Sequence, residues 1–151
     1  MRFVSQKNNS NCGPIMLANL CKLIGISIDY NSICELCGYT KKEGTDDFGV
    51  NNALKALNVK YRKRNQTCLV EMVGWLERGN ILLVGAFHSD ESKDGHYFVL
   101  THGTEKRPIV AINLHYDKLI QRFTIKGFAS KINWDKDIGV WIIRKNDEKE
   151  K

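Results

Sequence analysis

A cysteine stands where a helix is predicted to begin, and this position suits a nucleophile. The stretch QKNNSNCGPIMLANLCKLIG, residues 6–25, places Cys12 directly before Gly13 and Pro14 and an amphipathic repeat over 13–24 that ends at Gly25. Main-chain N–H groups and the dipole at a helix N-terminus favour negative charge, so we expect them to lower the pKa of this thiol. Cys12 is therefore a candidate nucleophile, although free cysteines more often pack without reacting.

The other four cysteines suit this chemistry less well. Cys21 falls in the middle of the same predicted helix on its apolar side, where burial raises the pKa of a thiol. Cys68 lies near another predicted helix start and stays a second candidate. Cys34 and Cys37 have the spacing of a zinc-ligand pair, but no second pair accompanies them. We therefore expect them to line the core, and we predict neither a metal nor a cofactor.

A cysteine nucleophile needs a base, and the sequence offers four histidines. His96 is the best placed because it opens the predicted strand HYFVL directly after Gly95, so that its imidazole can project at the edge of a sheet. His102 closes the same strand on the same face and stays an alternative. His88 and His115 fit ordinary surface or loop positions.

The base in turn needs a group that fixes its tautomer and orientation. Asn113 stands near the end of the next predicted strand, in IVAINLHYD, and in an antiparallel hairpin this strand returns beside His96. An asparagine side chain can orient an imidazole without carrying charge. Asn113 could instead simply begin a turn, in which case Asp117 is the alternative orienting residue.

The hydrophobic pattern changes its period along the chain, from 3.6 residues to 2 after Asn80. Helices are predicted first and a sheet second, which favours an α+β fold with an antiparallel sheet over a βαβ repeat. The predicted helical segments are 13–24, 29–40, 45–58 and 68–80, and the predicted strands are 59–65, 81–89, 95–103, 107–117, 118–128 and 139–145.

Length and composition indicate one ordinary globular domain. The 151 residues carry a net charge of +6, and we predict a single domain over 1–145 followed by a charged tail at 146–151. The basic stretch KYRKR at 60–64 has no nucleic-acid-binding module around it, so we predict no nucleic-acid partner. The sequence contains neither a membrane segment nor a signal peptide, and an odd number of cysteines favours free thiols, so we expect a cytoplasmic protein.

The arrangement of these residues resembles that of the bacteriocin-processing peptidases. The likeness consists of Gln6, five residues, then CGP, two short helices, a TDDFG turn into a third helix, and later GHYFVL. Members of that family are papain-like cysteine proteases that form the N-terminal domain of some ABC exporters and remove double-glycine leader peptides. The resemblance spans about residues 3–145 and implies a papain-like fold, with N-terminal helices packed on a C-terminal antiparallel sheet.

The resemblance also implies roles for individual residues. Gln6 would supply a side chain to the oxyanion hole, Cys12 would be the nucleophile, and His96 would be the general base and acid. The glutamine six residues before the cysteine is the most specific part, because CG or GH alone is common by chance. Where the family has Asp-Pro, this sequence has Asn113 and Leu114, so the third member of the site is neutral here.

The function expected from these observations is cleavage of a peptide bond in a peptide or protein substrate, after a double-glycine leader if specificity follows the family. Because no exporter segments and no P-loop follow, we expect a stand-alone relative or an excised domain, with a transporter on a separate chain as its partner. A glutamine deamidase or transglutaminase using the same residues is the alternative enzyme. A non-catalytic peptide-binding module is the other alternative, against which the joint presence of Gln6, Cys12 and His96 speaks.

Overall fold

Helices occupy the first half of the chain and strands most of the second. The computed structural model describes residues 2–6, 11–89, 95–104, 107–115 and 118–144. In chain order the elements are α1 (Cys12–Ile24), α2 (Tyr30–Cys37), α3 (Asp47–Ala56), β1 (Arg62–Arg64), α4 (Leu69–Glu77), β2 (Asn80–Ala86), β3 (His96–Thr104), β4 (Arg107–His115), β5 (Lys118–Phe123), α5 (Ile125–Ala129) and β6 (Gly139–Arg144).

Capping residues mark one end of each of the first three helices. Helix α1 starts at Cys12, one residue before the predicted start, and ends at Gly25, whose φ of 79° is the left-handed conformation that glycine adopts readily. The Asp29 side chain accepts a hydrogen bond from the Ser32 main chain and so caps α2. The Asp46 side chain does the same for α3 through Gly49.

The six strands form one antiparallel sheet in the order β1-β6-β2-β3-β4-β5, which confirms the predicted α+β class. Helices α1, α2 and α3 pack on one face of this sheet, and α4 and α5 pack on the other. Each face has its own buried cluster because strand residues alternate between the two sides. The strand residues of the first cluster include Leu83, Val99 and Ile112, and those of the second include Val84, Phe98 and Leu100.

Two predicted strands are shorter than expected. The strand predicted over 118–128 ends at Phe123, because the Thr124 hydroxyl accepts a hydrogen bond from the Gly127 main chain and caps the short helix α5. The strand predicted over 59–65 is reduced to Arg62–Arg64 at the edge of the sheet. The predicted tail at 146–151 lies outside the described residues. Within the described ranges, no helix has the length and apolar character needed to cross a membrane.

Helices α2 and α3 approach each other closely at Gly49. A Cβ atom at this position would overlap the carbonyl oxygen of Cys37 at the end of α2. Gly74 in α4 offers a contrast, since a Cβ atom there would meet only the far end of the Arg78 side chain, at 3.8 Å. The absence of a side chain at Gly49 is therefore required by packing, and at Gly74 it is not.

We expect Gly49→Ala to lower the free energy of unfolding by about 1–3 kcal/mol, the usual cost of forcing an extra methyl group into a packed site. Gly74→Ala is the matched control, since it is the same change in another helix, and we expect it to leave stability unchanged or to raise it by up to about 1 kcal/mol. Urea denaturation followed by circular dichroism measures both. Equal effects of the two substitutions would contradict the close packing of α2 against α3.

Candidate active site

Cys12 lies where the N-terminus of α1 meets the beginning of β3. It is the first residue of the helix and is 7% exposed. The main-chain N–H of Tyr97 lies close enough to favour the charged form of the Cys12 thiol, and Tyr97 directly follows His96 at the start of β3. The fold thus brings the predicted nucleophile to the start of the strand that His96 opens.

Burial sets the protonation of Cys12 in the unliganded protein. Desolvation raises the pKa of the thiol, and the hydrogen bonds from the main chains of Tyr97, Gly13 and Cys12 itself lower it by less. The main-chain groups at the helix N-terminus therefore lower this pKa as predicted, but the net pKa of the thiol is raised. The donors are present as expected, but the loss of water around the sulfur outweighs them.

His96 is held by a main-chain carbonyl group. Its Nε2 atom lies 2.7 Å from the carbonyl oxygen of Asn113 on the neighbouring strand β4. Since a carbonyl oxygen can only accept a hydrogen bond, Nε2 carries the hydrogen in this contact. In the neutral imidazole the lone pair is then on Nδ1, which is the atom able to take a proton from a thiol.

The surroundings of His96 favour its neutral form. Burial is the largest cause and lowers the pKa of His96 from its ordinary 6.5 to about 4, while the hydrogen bond to Asn113 raises it, and the neighbouring rings of His88 and His115 lower it further. Together with the raised pKa of Cys12, this favours the neutral form of both the thiol and the imidazole.

Asn113 contacts the site differently from the prediction. Its carbonyl group, and not its side chain, receives the hydrogen bond from His96. Its side-chain Nδ2 instead donates to Oε1 of Gln6 at 2.8 Å, and both side chains are buried, at 1% and 7% exposure. The structure thus joins Gln6 and His96 through one residue. Asp117, the alternative orienting residue, lies outside the described residues.

Gln6 is positioned by an anchor two residues before it. The buried side chain of Asn19 in α1 accepts a hydrogen bond from the main-chain N–H of Val4 at 2.7 Å and donates one to the carbonyl of Val4 at 3.1 Å. These two hydrogen bonds hold the N-terminal segment against α1. Gln6 is therefore held close to the helix that carries Cys12.

An irregularity in β4 creates the contacts of Asn113. Asn113 has a φ of 63°, in the left-handed region, and the register of β4 against β5 shifts between Ile112 and His115. A residue in this conformation at a bulge redirects the following side chain. Leu114 consequently packs in the same cluster as Ile109 and Ala111, although strict alternation would place it on the other face.

A second histidine uses the next carbonyl group of the bulge. Nε2 of His88 lies 2.7 Å from the carbonyl oxygen of Leu114, so that two consecutive carbonyl groups each hold an imidazole. The centroid of the His88 ring is 5.1 Å from that of His96 and 4.7 Å from that of His115. The prediction that His88 and His115 are ordinary surface or loop residues is therefore wrong. No spacing in the sequence signals these contacts, because the partner atoms belong to the main chain.

The remaining sequence candidates lie elsewhere. His102 is exposed at the other end of β3, about 20 Å from His96 at the rise of a strand. Cys68 is exposed and its thiol lies 3.8 Å from the Glu71 carboxylate. Cys37, the last residue of α2, packs in the core as predicted, but the same prediction is wrong for Cys34, which is half-buried and belongs to neither cluster. Within the described part of the chain, no three His, Cys, Asp or Glu side chains are grouped so as to hold a metal ion.

Comparison with known proteins relates this geometry to a family and to solved structures. A family model described as Peptidase C39 family matches residues 1–131. The peptidase domain of Streptococcus ComA, a bifunctional ABC transporter involved in quorum sensing, matches with a TM-score of 0.73 at 18% identity, over 95% of this chain and 98% of that one. No curated protein sequence matches.

Two further structures show the same architecture. A double glycine motif protease from an AMS/PCAT transporter, solved in complex with the leader peptide, matches with a TM-score of 0.65 at 12% identity, over 94% of this chain and 91% of that one. The peptidase domain of Streptococcus mutans ComA matches with a TM-score of 0.59 at 16% identity, over 94% of this chain and 98% of that one. These likenesses confirm the predicted fold, with N-terminal helices packed on an antiparallel sheet.

The lowered pKa of His96 makes stability depend on pH. Between pH 6.5 and about 4, His96 binds a proton in the unfolded chain but not in the folded chain. The stability that this group contributes is therefore complete above about pH 6.5 and is lost as the pH falls towards 4. We expect the unfolding free energy of the native chain, relative to His96→Gln, to fall by about 2 kcal/mol between about pH 7.5 and about pH 5.

Urea denaturation at the two pH values measures this difference, and groups common to both proteins cancel in it. His102→Gln is the matched control, because it removes an exposed histidine from the other end of the same strand. If the difference in unfolding free energy between the native chain and His96→Gln stays constant with pH, the neutral buried state of His96 is contradicted.

Proposed function

Because the chain belongs to the Peptidase C39 family and is a cysteine peptidase, we propose that Cys12, His96 and Gln6 form its catalytic site and that it cleaves after the double glycine of a leader peptide. One observation carries the proposal. The buried contacts Gln6–Asn113 and Asn113–His96 converge on the start of β3, where the main-chain N–H of Tyr97 favours the charged form of the Cys12 thiol. These contacts support a site that combines a nucleophile, a base of defined tautomer and an amide donor.

The first step is a proton transfer coupled to attack. Nδ1 of His96 accepts the proton of the Cys12 thiol while Sγ forms a bond to the carbonyl carbon of the scissile peptide. Nε2–H stays bonded to the Asn113 carbonyl, which stabilises the imidazolium as it forms. Because thiol and imidazole are both neutral at rest, charge separates only when the substrate carbonyl is in place to receive the electron pair.

The oxyanion is the charge that the site must then stabilise. The side-chain amide of Gln6 and the main-chain N–H of Cys12 donate to it. The imidazolium of His96 next protonates the amine of the leaving peptide, and a thioester remains on Cys12. Water activated by His96 releases the leader as a carboxylate and regenerates the thiol.

The proposed substrate class follows from the similarity to a solved structure, and the proposed compartment follows from the free cysteines. The AMS/PCAT neighbour is described as a double glycine motif protease in complex with its leader peptide, and we extend this substrate to the present chain. The cysteines of the described chain are all free, which suits a reducing compartment. We therefore place the reaction in the cytoplasm, on a precursor destined for a transporter carried by a separate chain.

We expect Cys12→Ala to abolish cleavage of a synthetic double-glycine leader peptide and Gln6→Ala to lower kcat/KM by about 10²–10³, the value of one oxyanion donor. Mass spectrometry of the products measures both the rate and the position of the cut. Cys68→Ala is the control, since it removes an exposed thiol outside the site and is expected to leave kcat/KM unchanged.

The same experiment separates the alternatives. Cleavage directly after the double glycine supports the full proposal. Iodoacetamide labelling of Cys12 without cleavage of the leader peptide rejects the substrate class and leaves the nucleophile in place. A mass gain of about 1 Da on a glutamine of the peptide, without a cut, indicates deamidation. Full activity in both Cys12→Ala and Gln6→Ala refutes the assigned site.

A further inference from the structure

His88 lies in a short main-chain pairing just after the end of β2. The carbonyl group of Phe87 accepts a hydrogen bond from the main-chain N–H of Asn133 at 2.8 Å, and the N–H of Ser89 donates one to the carbonyl group of Lys131 at 2.9 Å. His88 is thus fixed on both sides, in an isolated antiparallel bridge to the segment that follows α5.

The side chain of His88 reaches from this fixed position to the bulge in β4. Its Nε2 atom lies 2.7 Å from the carbonyl oxygen of Leu114 and donates a hydrogen to it, since a carbonyl oxygen only accepts. The preceding carbonyl group, that of Asn113, accepts from Nε2 of His96 at the same distance. The carbonyl groups of residues 113 and 114, called the bulge carbonyls below, thus connect the two imidazoles.

Leu114 stands between the two peptide groups that carry the bulge carbonyls. Its side chain is completely buried in the cluster that includes Phe98 and Leu100. The peptide group after Leu114 is held by His88. Because the side chain and the following peptide group are both fixed, little rotation is left for the peptide group before Leu114, whose oxygen holds His96.

The backbone at this point needs such a restraint. Asn113 has a φ of 63°, and left-handed conformations of residues other than glycine persist only where the surrounding contacts over-determine them. A return of Asn113 to the extended conformation of a strand would turn its carbonyl group away from His96. The hydrogen bond of His88 opposes this rotation from a segment that does not belong to β4.

From this geometry we infer that His88 is a positioning residue, which acts through the bulge carbonyls to fix the tautomer of His96. The inference rests on the proposed role of His96 as the base. A neutral imidazole has two tautomers, and an acceptor held at Nε2 selects the one with its hydrogen there. Only that tautomer leaves the lone pair on Nδ1, the atom assigned to take the proton of Cys12.

Two substitutions of His88 separate its donor from its bulk. His88→Phe keeps a planar ring and removes the donor. His88→Gln keeps a donor, because the amide nitrogen of glutamine can occupy a place close to that of Nε2 in histidine. Since His88 is only half-buried, we expect both variants to fold. His88→Ala is measured in the same way if the phenylalanine variant does not fold.

Nuclear magnetic resonance of the isotope-labelled full chain reads the tautomer directly, through long-range proton–nitrogen correlations of the imidazole. At about pH 7.5 His96 is neutral, because burial lowers its pKa to about 4, and its signals are assigned by their loss in His96→Gln. We expect the hydrogen on Nε2 alone in the native chain and in His88→Gln. In His88→Phe we expect signals of the other tautomer to appear.

Leader-peptide cleavage gives the second readout. We expect His88→Phe to lower kcat by about 10–10² with little change in KM, because a smaller fraction of the molecules then has Nδ1 free. His88→Gln should retain most of the native kcat. A residue that only stabilises the fold would change the unfolding free energy without changing the tautomer of His96.

His102→Phe is the matched control for His88→Phe. It makes the same chemical change at an exposed histidine at the other end of β3. We expect the tautomer of His96 and the rate of cleavage to be unchanged.

Two results would overturn the inference. One is a folded His88→Phe, or His88→Ala, in which His96 keeps its hydrogen on Nε2 alone. The other is an equal change of tautomer in His88→Gln and His88→Phe, since the donor would then not be responsible. If the native chain does not cleave the leader peptide, the proposed function fails, and the resonance measurement still decides whether His88 fixes the tautomer. A native chain that cleaves, with an inactive Cys12→Ala and an unchanged tautomer in His88→Phe, refutes the inference alone.

Discussion

The left-handed backbone at Asn113 is the constraint on which the contacts of the site depend. In a regular strand, successive carbonyl groups point in opposite directions, so one strand could not present two of them to adjacent rings. The bulge at Asn113 turns the carbonyl groups of residues 113 and 114 towards His96 and His88. It also aims the Asn113 side chain at Gln6, 107 positions away in the sequence. The N-terminal segment, the sheet and the histidines meet through this one conformation.

Burial decides the electrostatics of the site more than any single charge does. The first turn of α1 supplies donors to Cys12, yet desolvation still raises the pKa of the thiol. The Asn113 carbonyl favours a charged His96, yet desolvation and the neighbouring histidines still hold its pKa at about 4. In the proposed mechanism, a pair that is neutral at rest lacks the reactivity of a permanent thiolate. The electrostatic stabilisation is then concentrated in the step at which substrate charge develops, where preorganised donors are worth most.

The sequence predicted the parts of this structure that depend on local pattern. The change of hydrophobic period predicted four helical segments ahead of most of the sheet, and the structure shows that Asp29 and Asp46 cap two of them. Cys12 and His96 were selected as candidates from their types and positions, and Gln6 was added from the family resemblance. The short helix α5 was taken for strand, because a five-residue helix has too little period to distinguish and depends on its Thr124 cap.

The contacts of Asn113 and His88 could not be predicted for a different reason. Their partners are a side chain far away in the sequence and the carbonyl of Leu114, which every residue type would supply equally well. The pKa values of Cys12 and His96 depend on how completely the fold removes water, which a helix position by itself does not indicate. Local rules therefore selected the candidate residues, whereas their protonation and their orientation are properties of tertiary packing.

An uncharged asparagine at position 113 is physically consistent with a site that is so deeply buried. Residue 113 is 1% exposed and its carbonyl oxygen is already an acceptor for His96, so a carboxylate there would be desolvated and would face Oε1 of Gln6 as a second acceptor. Asparagine avoids the free-energy cost of a buried charge, and the main-chain carbonyl orients the imidazole in its place. If His96 is the base as proposed, it is a weaker base than a carboxylate-paired histidine. The proposed mechanism then depends more heavily on the donors that stabilise the oxyanion.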